Sequence, residues 1–401
     1  MSAGSDVAVR PLKEKPPLKL STRRLGVLGA GAALVLGTAL TGPAATAGTT
    51  PTTSPTAPPA AGQAALTRSD AVADRFGIDQ SPARVAVEQA INGSDYDCQP
   101  TDLDAYVDGL IGGFSQQELR FLIDHIEMLD IPTYDALLYG TPTDARYNLR
   151  SDYAQTITKT FKDVKRFWDV KSGDIQLMSM HGSVLGDPAR VSRTLVNAFG
   201  FTQAEATSYA NDVAAAIKKG WFDGGNNAFF TLNAFAFSAE GDPDPLVKGL
   251  PDKLIFGDGI IDALRAMKIG DVGPQAVLGH EFGHHVQFED NLFDSPLTGP
   301  EATRRTELMA DAYGTYFVTH ARGLALNTRR VLEAEKSFYE VGDCQWTSNG
   351  HHGTPLQRLR SATWAADLAG SARPQGAILP SLKLAELFDK KLPELVAPDA
   401  S

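Results

Sequence analysis

The chain has 401 residues, 43% hydrophobic and 21% charged, with a formal net charge of −11. That length suffices for a full core in one large domain or two modest ones. The acidic balance, with no basic stripe in the body of the chain, argues against nucleic acid as the main partner.

Residues 1–47 read as an export signal. Arg10, Lys13, Lys15, Lys19, Arg23 and Arg24 face Asp6 and Glu14, an apolar run rich in Ala and Gly follows over 25–40, and Ala45-Thr46-Ala47 offers a small-residue cleavage site. Arg23-Arg24 suggests the twin-arginine route. The apolar run is about 16 residues where a span needs roughly 20, so a cleaved, secreted protein is expected over a membrane-anchored one. Residues 48–65, rich in Thr, Pro and Ala, read as a linker.

Residues 66–220 form a predominantly helical region. Ser115-Gln-Gln-Glu118 ahead of Leu119, Leu122 and Ile126 has the form of a capping box. A helix is predicted over 152–168, with Tyr153, Ile157, Phe161, Val164 and Trp168 on one side. The stretch 173–185 is ambiguous between strand and coil. Helices are predicted again over 187–198 and 202–219, the second capped by Thr202 and Glu205 and ended by Gly220. His125 and His181 read as packing or surface histidines. Cys98 and Cys344, in an exported chain, are expected to form a disulfide; two thiolate metal ligands would lack the usual C-x-x-C spacing.

Character changes at Trp221, and 221–396 is read as a second unit. Asp223-Gly-Gly-Asn-Asn227 signals a turn, 228–238 a strand, 253–256 a partner strand and 260–267 a helix. Such a hairpin would leave a free edge to which an extended peptide could add.

The next segment carries the chemistry. Helix 274–290, with Pro274 at its start, contains His280-Glu281-Phe-Gly-His284. A spacing of four stacks both imidazoles on one face, where they can share a zinc ion, with Glu281 placed to act on a water. With eight His in the chain, roughly 0.01 such motifs are expected by chance. A third ligand is then needed. The extended form of the motif would want Gly where Gln287 stands, which discounts Asp290; His285 points about 100° away, and His320 lies too far along. Glu307, on a helix predicted over 301–321, completes two His and one Glu, with Asp311 one turn on to orient a ligand imidazole. Farther along, His352 or Arg358 could supply a donor to a developing oxyanion; a helix cap and surface histidines would explain the same residues.

These residues resemble the bacterial neutral zinc metallopeptidases, a branch of the gluzincins. The likeness covers roughly 225–365 through Asn233-Ala-Phe-Ala236, Ile255-Phe-Gly-Asp258-Gly259, His280-Glu-Phe-Gly-His-His-Val-Gln287, Glu307-Leu-Met-Ala-Asp311 and His352-Gly-Thr-x-x-Gln-Arg358. The first of these also looks like the substrate-edge strand of CAAX-protease-like peptidases, which implies Asn233 and Ala234 as substrate contacts. The resemblance implies an α+β, mostly helical, zincin-like core with a small sheet or hairpin. It further implies one zinc ion on His280, His284 and Glu307, Glu281 as general base, and a peptide or protein substrate. The rival readings are a zinc-binding interaction protein without activity and a zinc hydrolase of a cell-wall amide.

Overall fold

The computed structural model describes residues 60–92, 102–339, 353–374 and 376–397. Cys98, Cys344 and His352 lie outside these residues, as do the expected signal segment and 48–59 of the expected linker. The first helices are α1 (Ala60–Phe76), α2 (Pro82–Asn92), α3 (Asp102–Gly112), α4 (Gln116–Asp124), α5 (Ile131–Tyr139) and α6 (Ser151–Phe167). Helix α1 thus begins inside the stretch read as linker, where Ala replaces Pro as the commonest residue and the chain can wind.

Local signals set several helix ends. Ser115 Oγ accepts from the Glu118 N–H at 3.2 Å while the Glu118 carboxylate accepts from the Ser115 N–H at 2.8 Å, starting α4. Along α6, Tyr153, Ile157, Phe161 and Val164 are buried on one face, as their spacing requires. After strand β1 (Gln176–Met180) come α7 (Pro188–Asn197) and α8 (Gln203–Lys218), the latter opened by a reciprocal Thr202–Glu205 cap.

Strands β2 (Ala234–Phe237) and β3 (Lys253–Gly257) complete a three-stranded sheet in the order β1-β3-β2. β3 is central and wholly buried; β1 runs parallel to it and β2 antiparallel. The ambiguous stretch at 173–185 becomes a strand because β3, distant in sequence, supplies its ladder. The predicted strand over 228–238 is shorter than expected: Ala228–Thr231 is a 3-10 turn, held by the Asn227 side chain accepting from the Phe229 N–H at 3.1 Å. This turn crosses the junction between β3 and α9 (Asp258–Ala266). There a Cβ on Gly257 would lie 1.8 Å from the Thr231 oxygen, and one on Gly259 2.0 Å from the Ala228 oxygen. Between those glycines, Asp258 accepts from Tyr153 at 2.7 Å and from His181 Nδ1 at 2.6 Å, pinning α9 to α6 and to the end of β1.

Helices α10 (Gly273–Glu289) and α11 (Pro300–Thr319) run antiparallel, with Gly279 against Gly314, Gly283 against Ala310 and Gln287 against Thr306. The approach is close. A Cβ on Gly314 would stand 2.6 Å from the His280 nitrogen, and one on Gly283 2.9 Å from the Ala310 oxygen. Behind α11 pack α12 (Thr328–Tyr339), α13 (Pro355–Ser371) and α14 (Ser381–Leu395), tied by Ser361 Oγ to the Leu308 carbonyl and by Tyr313 to the Ser381 carbonyl. The fold is predominantly helical with one small sheet, which takes one strand from before residue 220 and two from after it.

Candidate metal centre

Pro274 in the first turn of α10 and the buried Val277, Leu278 and Phe282 fix which face of that helix turns inward. His280 and His284 emerge one turn apart toward α11, their Nε2 atoms 3.1 Å from each other. Because the glycines let α11 come so near, the short Glu307 side chain reaches both. Its Oε2 lies 3.5 Å from His280 Nε2 and its Oε1 3.4 Å from His284 Nε2. Ligand atoms of the three residues all fall within 4.8 Å of one another, a buried group that could hold a metal ion.

Each imidazole is steered through its far nitrogen. His280 Nδ1 donates to Asp311 at 2.8 Å, and Asp311 is gripped by Arg358 through Nε at 2.9 Å and Nη2 at 2.8 Å. His284 Nδ1 donates to Gln287 Oε1 at 2.9 Å, and the Gln287 amide donates to the Thr306 carbonyl at 2.7 Å. These partners assign hydrogen to both outer nitrogens and leave the inner ones to share a proton or a cation. Two converging imidazoles and a carboxylate fit a divalent ion.

No family model, curated protein or solved structure matches the chain.

Electrostatics separates the residues further. Burial opposes a charge on His280, but its hydrogen bonds to Asp311 and Glu307 outweigh burial and hold its pKa up at about 10. Burial and the charge on His280 push His284 the other way, below the ordinary histidine value. Without a metal, the pair therefore retains one proton, on His280. Glu281, only 8% exposed, is raised by burial to about 8; His280 opposes the rise, while Glu307 and Asp79 add to it. The Ala236 N–H of β2 donates to its carboxylate.

That last contact places Glu281 at the edge of the sheet. The Asn233 carbonyl accepts from the Gly257 N–H at 2.9 Å, so Asn233 faces β3. By the alternation of an antiparallel ladder, Ala234 and Ala236 direct their backbone groups to the opposite, outer edge. Asn233 and Ala234 thus differ in role: the Asn233 main chain is engaged inside the sheet, and Ala234 presents an edge.

Arg358 requires a correction. Read from sequence as a substrate or oxyanion contact, it is 8% exposed and its guanidinium is committed to Asp311, with Glu307 Oε2 at 3.6 Å. It positions the carboxylates behind the histidines. His285 lies buried with Nε2 on the Lys253 carbonyl at 3.0 Å, and His320 donates to the Ala377 carbonyl at 3.1 Å; neither joins the centre.

Three residues near the centre were given no role there from the sequence. Gln287 sits three positions after His284 on one helix face, a spacing that could have revealed it. Glu335 of α12 is buried, accepts from Thr315, and borders with His280 a small apolar space lined by Leu264, Ala276 and Val277; burial raises its pKa to about 8. Asp79, in the turn between α1 and α2, acts electrostatically on both Glu281 and His284. Nothing in the local pattern around Glu335 or Asp79 marks either one.

Proposed function

We propose that the chain is an exported zinc-dependent peptidase of the gluzincin kind. The observation that carries this reading is the convergence of His280, His284 and Glu307, each imidazole oriented from behind, beside a glutamate at an open strand edge. The likeness of the His280–Gln287 and Glu307–Asp311 segments to bacterial neutral zinc metallopeptidases points the same way, and the basic, apolar N-terminal stretch supports export.

His280, His284 and Glu307 would hold the ion. When bound, zinc supplies Lewis acidity that lowers the pKa of a water and polarises a carbonyl. An extended peptide binds along the outer edge of β2, pairing with the Ala234 backbone and the Ala236 carbonyl as an added strand. Glu281 beside that edge takes a proton from the attacking water and delivers it to the leaving amine. Its pKa, held near neutrality by burial, suits both halves of that exchange. Arg358 and Asp311 keep His280 in the tautomer that directs Nε2 inward.

The test is Glu281→Gln. The variant should bind zinc as the parent does and lose hydrolysis of a quenched-peptide library by at least about a thousandfold. Comparable turnover would remove Glu281 from the role assigned. Chelation should abolish, and zinc restore, the activity of the parent.

A further inference from the structure

Helix α11 carries an arginine, on the face that holds Glu307, that the mechanism above does not use. At 100° per residue, Arg304 lies within about 60° of Glu307 and about 20° of Asp311 around the helix. Its Cβ is about 5–6 Å from that of Glu307, one turn away. On α10 the same count turns Glu281 toward β2 and the glycines toward α11, with both imidazoles between. β2 and α11 are thus opposite walls over the candidate metal group. Gln287 donates to the Thr306 carbonyl, so Arg304 sits beyond His284, toward the C-terminal end of α10. The strand wall reaches that level too, since His285 meets the Lys253 carbonyl and Lys253 pairs with Phe237 of β2. Two neighbouring arginines are committed within the fold: Arg305 grips Asp389 through Nε at 2.8 Å and Nη2 at 2.9 Å, and Arg358 grips Asp311. Arg304 has no hydrogen bond or ion pair among the described residues. Its stem lies against the start of α13, where a Cβ on Gly353 would stand 3.2 Å from its Cγ and 3.5 Å from Leu308 Cδ2. Its Nε is buried there without an acceptor, while Nη1 and Nη2 reach solvent. Glu301, one turn earlier, is exposed and does not pair with it.

We propose that Arg304 selects substrates by a carboxylate on the bound peptide, held beside the metal group across from the Phe237 end of β2. This rests on the peptidase reading and deepens it by naming a substrate class. The physical grounds are threefold. A guanidinium fork matches a carboxylate through two parallel hydrogen bonds, and the two outer nitrogens of Arg304 are the ones without partners. A peptide added to β2 runs past Phe237, so its residues on that side of the scissile bond come opposite Arg304. The acids nearby do not cancel the attraction: Asp311 is matched by Arg358, Glu307 would be matched by the cation it helps to hold, and Glu281 lies on the far wall. The carboxylate has two sources, an Asp or Glu side chain within the peptide or the free C-terminus of a short one.

The experiment uses the zinc-loaded protein and matched quenched peptides. One position at a time carries Glu, Gln or Lys, and each peptide is made with a free and an amidated C-terminus. The parent should prefer Glu over Gln at one position, or the free over the amidated terminus, by about 10- to 100-fold in kcat/KM. The preference should shrink as salt rises. Arg304→Gln should bring that ratio to within about threefold of unity, and Arg304→Lys should keep part of it, since an ammonium supplies charge without the fork. Arg304→Glu should invert it in favour of Lys. Loss of the preference on amidation identifies the terminus as the carboxylate; its persistence identifies the side chain. A parent with no charge preference, or a preference surviving intact in Arg304→Gln, overturns the proposal. Loss of zinc by Arg304→Gln overturns it as well, since the residue would then support the metal group and not the substrate. In parallel, equilibrium binding of the same peptides to Glu281→Gln reads recognition without turnover. Selective binding that adding Arg304→Gln abolishes upholds Arg304 even if the parent cleaves nothing, in which case the peptidase reading alone fails. Binding blind to charge rejects Arg304 whatever the parent cleaves.

Discussion

His284 donates its Nδ1–H to Gln287 at 2.9 Å, and Gln287 fixes itself to α11 through the Thr306 carbonyl at 2.7 Å. One side chain thus orients an imidazole of the candidate metal group and registers the two helices that carry it. Gln287→Leu keeps the volume and deletes both hydrogen bonds. Zinc affinity should fall by about 10- to 100-fold, measured by competition with a chelating dye. An unchanged affinity would show that the imidazole needs no such support.

Glu307 reaches the histidines only because the α10–α11 interface is built from glycine. A side chain at Gly314 must displace the His280 backbone, since its Cβ alone would stand 2.6 Å from that nitrogen. Gly314→Val should destabilise the metal-free protein by about 1–3 kcal/mol. It should also weaken zinc binding, because the helices separate along the line between Glu307 and the imidazoles. Denaturant unfolding with chelator and with zinc checks both effects; a variant that lost stability but bound zinc like the parent would contradict the geometric claim.

The metal-free centre keeps a proton on His280, whose pKa is held at about 10, while His284 is already neutral near pH 7. A cation needs the His280 Nε2 lone pair, so that proton must leave on binding. Glu281, with a pKa of about 8, loses a second when a cation arrives beside it. The sign follows: affinity rises with pH, by about one to two decades per unit between pH 6 and 8. Calorimetry in buffers of differing ionisation enthalpy counts the protons released. Uptake of protons, or none exchanged, would contradict the assignment.

Much of the centre was legible because it is local. His280, Glu281 and His284 share one helix, so a spacing of four residues predicts their common face, and Glu307 and Asp311 repeat that relation on the next helix. The caps at Ser115 and Thr202 were readable for the same reason. What escaped depends on contacts distant in sequence. β1 is a strand only because β3 pairs with it, and the 228–231 turn exists because Gly257 and Gly259 let it cross close above them. Gln287 was weighed only as the absence of a glycine, which hid what its amide could do. Arg358 looked from its place in the sequence like a donor to a developing oxyanion, but Asp311 is the carboxylate it meets. Glu335 comes from α12, whose packing against α10 no local pattern announces, and Asp79 from a turn distant in sequence whose charge acts on Glu281 and His284.

The most direct measurement is zinc stoichiometry. Purified protein stripped of metal and dialysed against zinc is analysed for bound ion, beside the Glu307→Ala and His284→Ala variants. One zinc per chain is predicted for the parent, with affinity reduced by several decades in each variant. A parent without stoichiometric metal, or Glu307→Ala binding zinc as tightly as the parent, would contradict the account at its root.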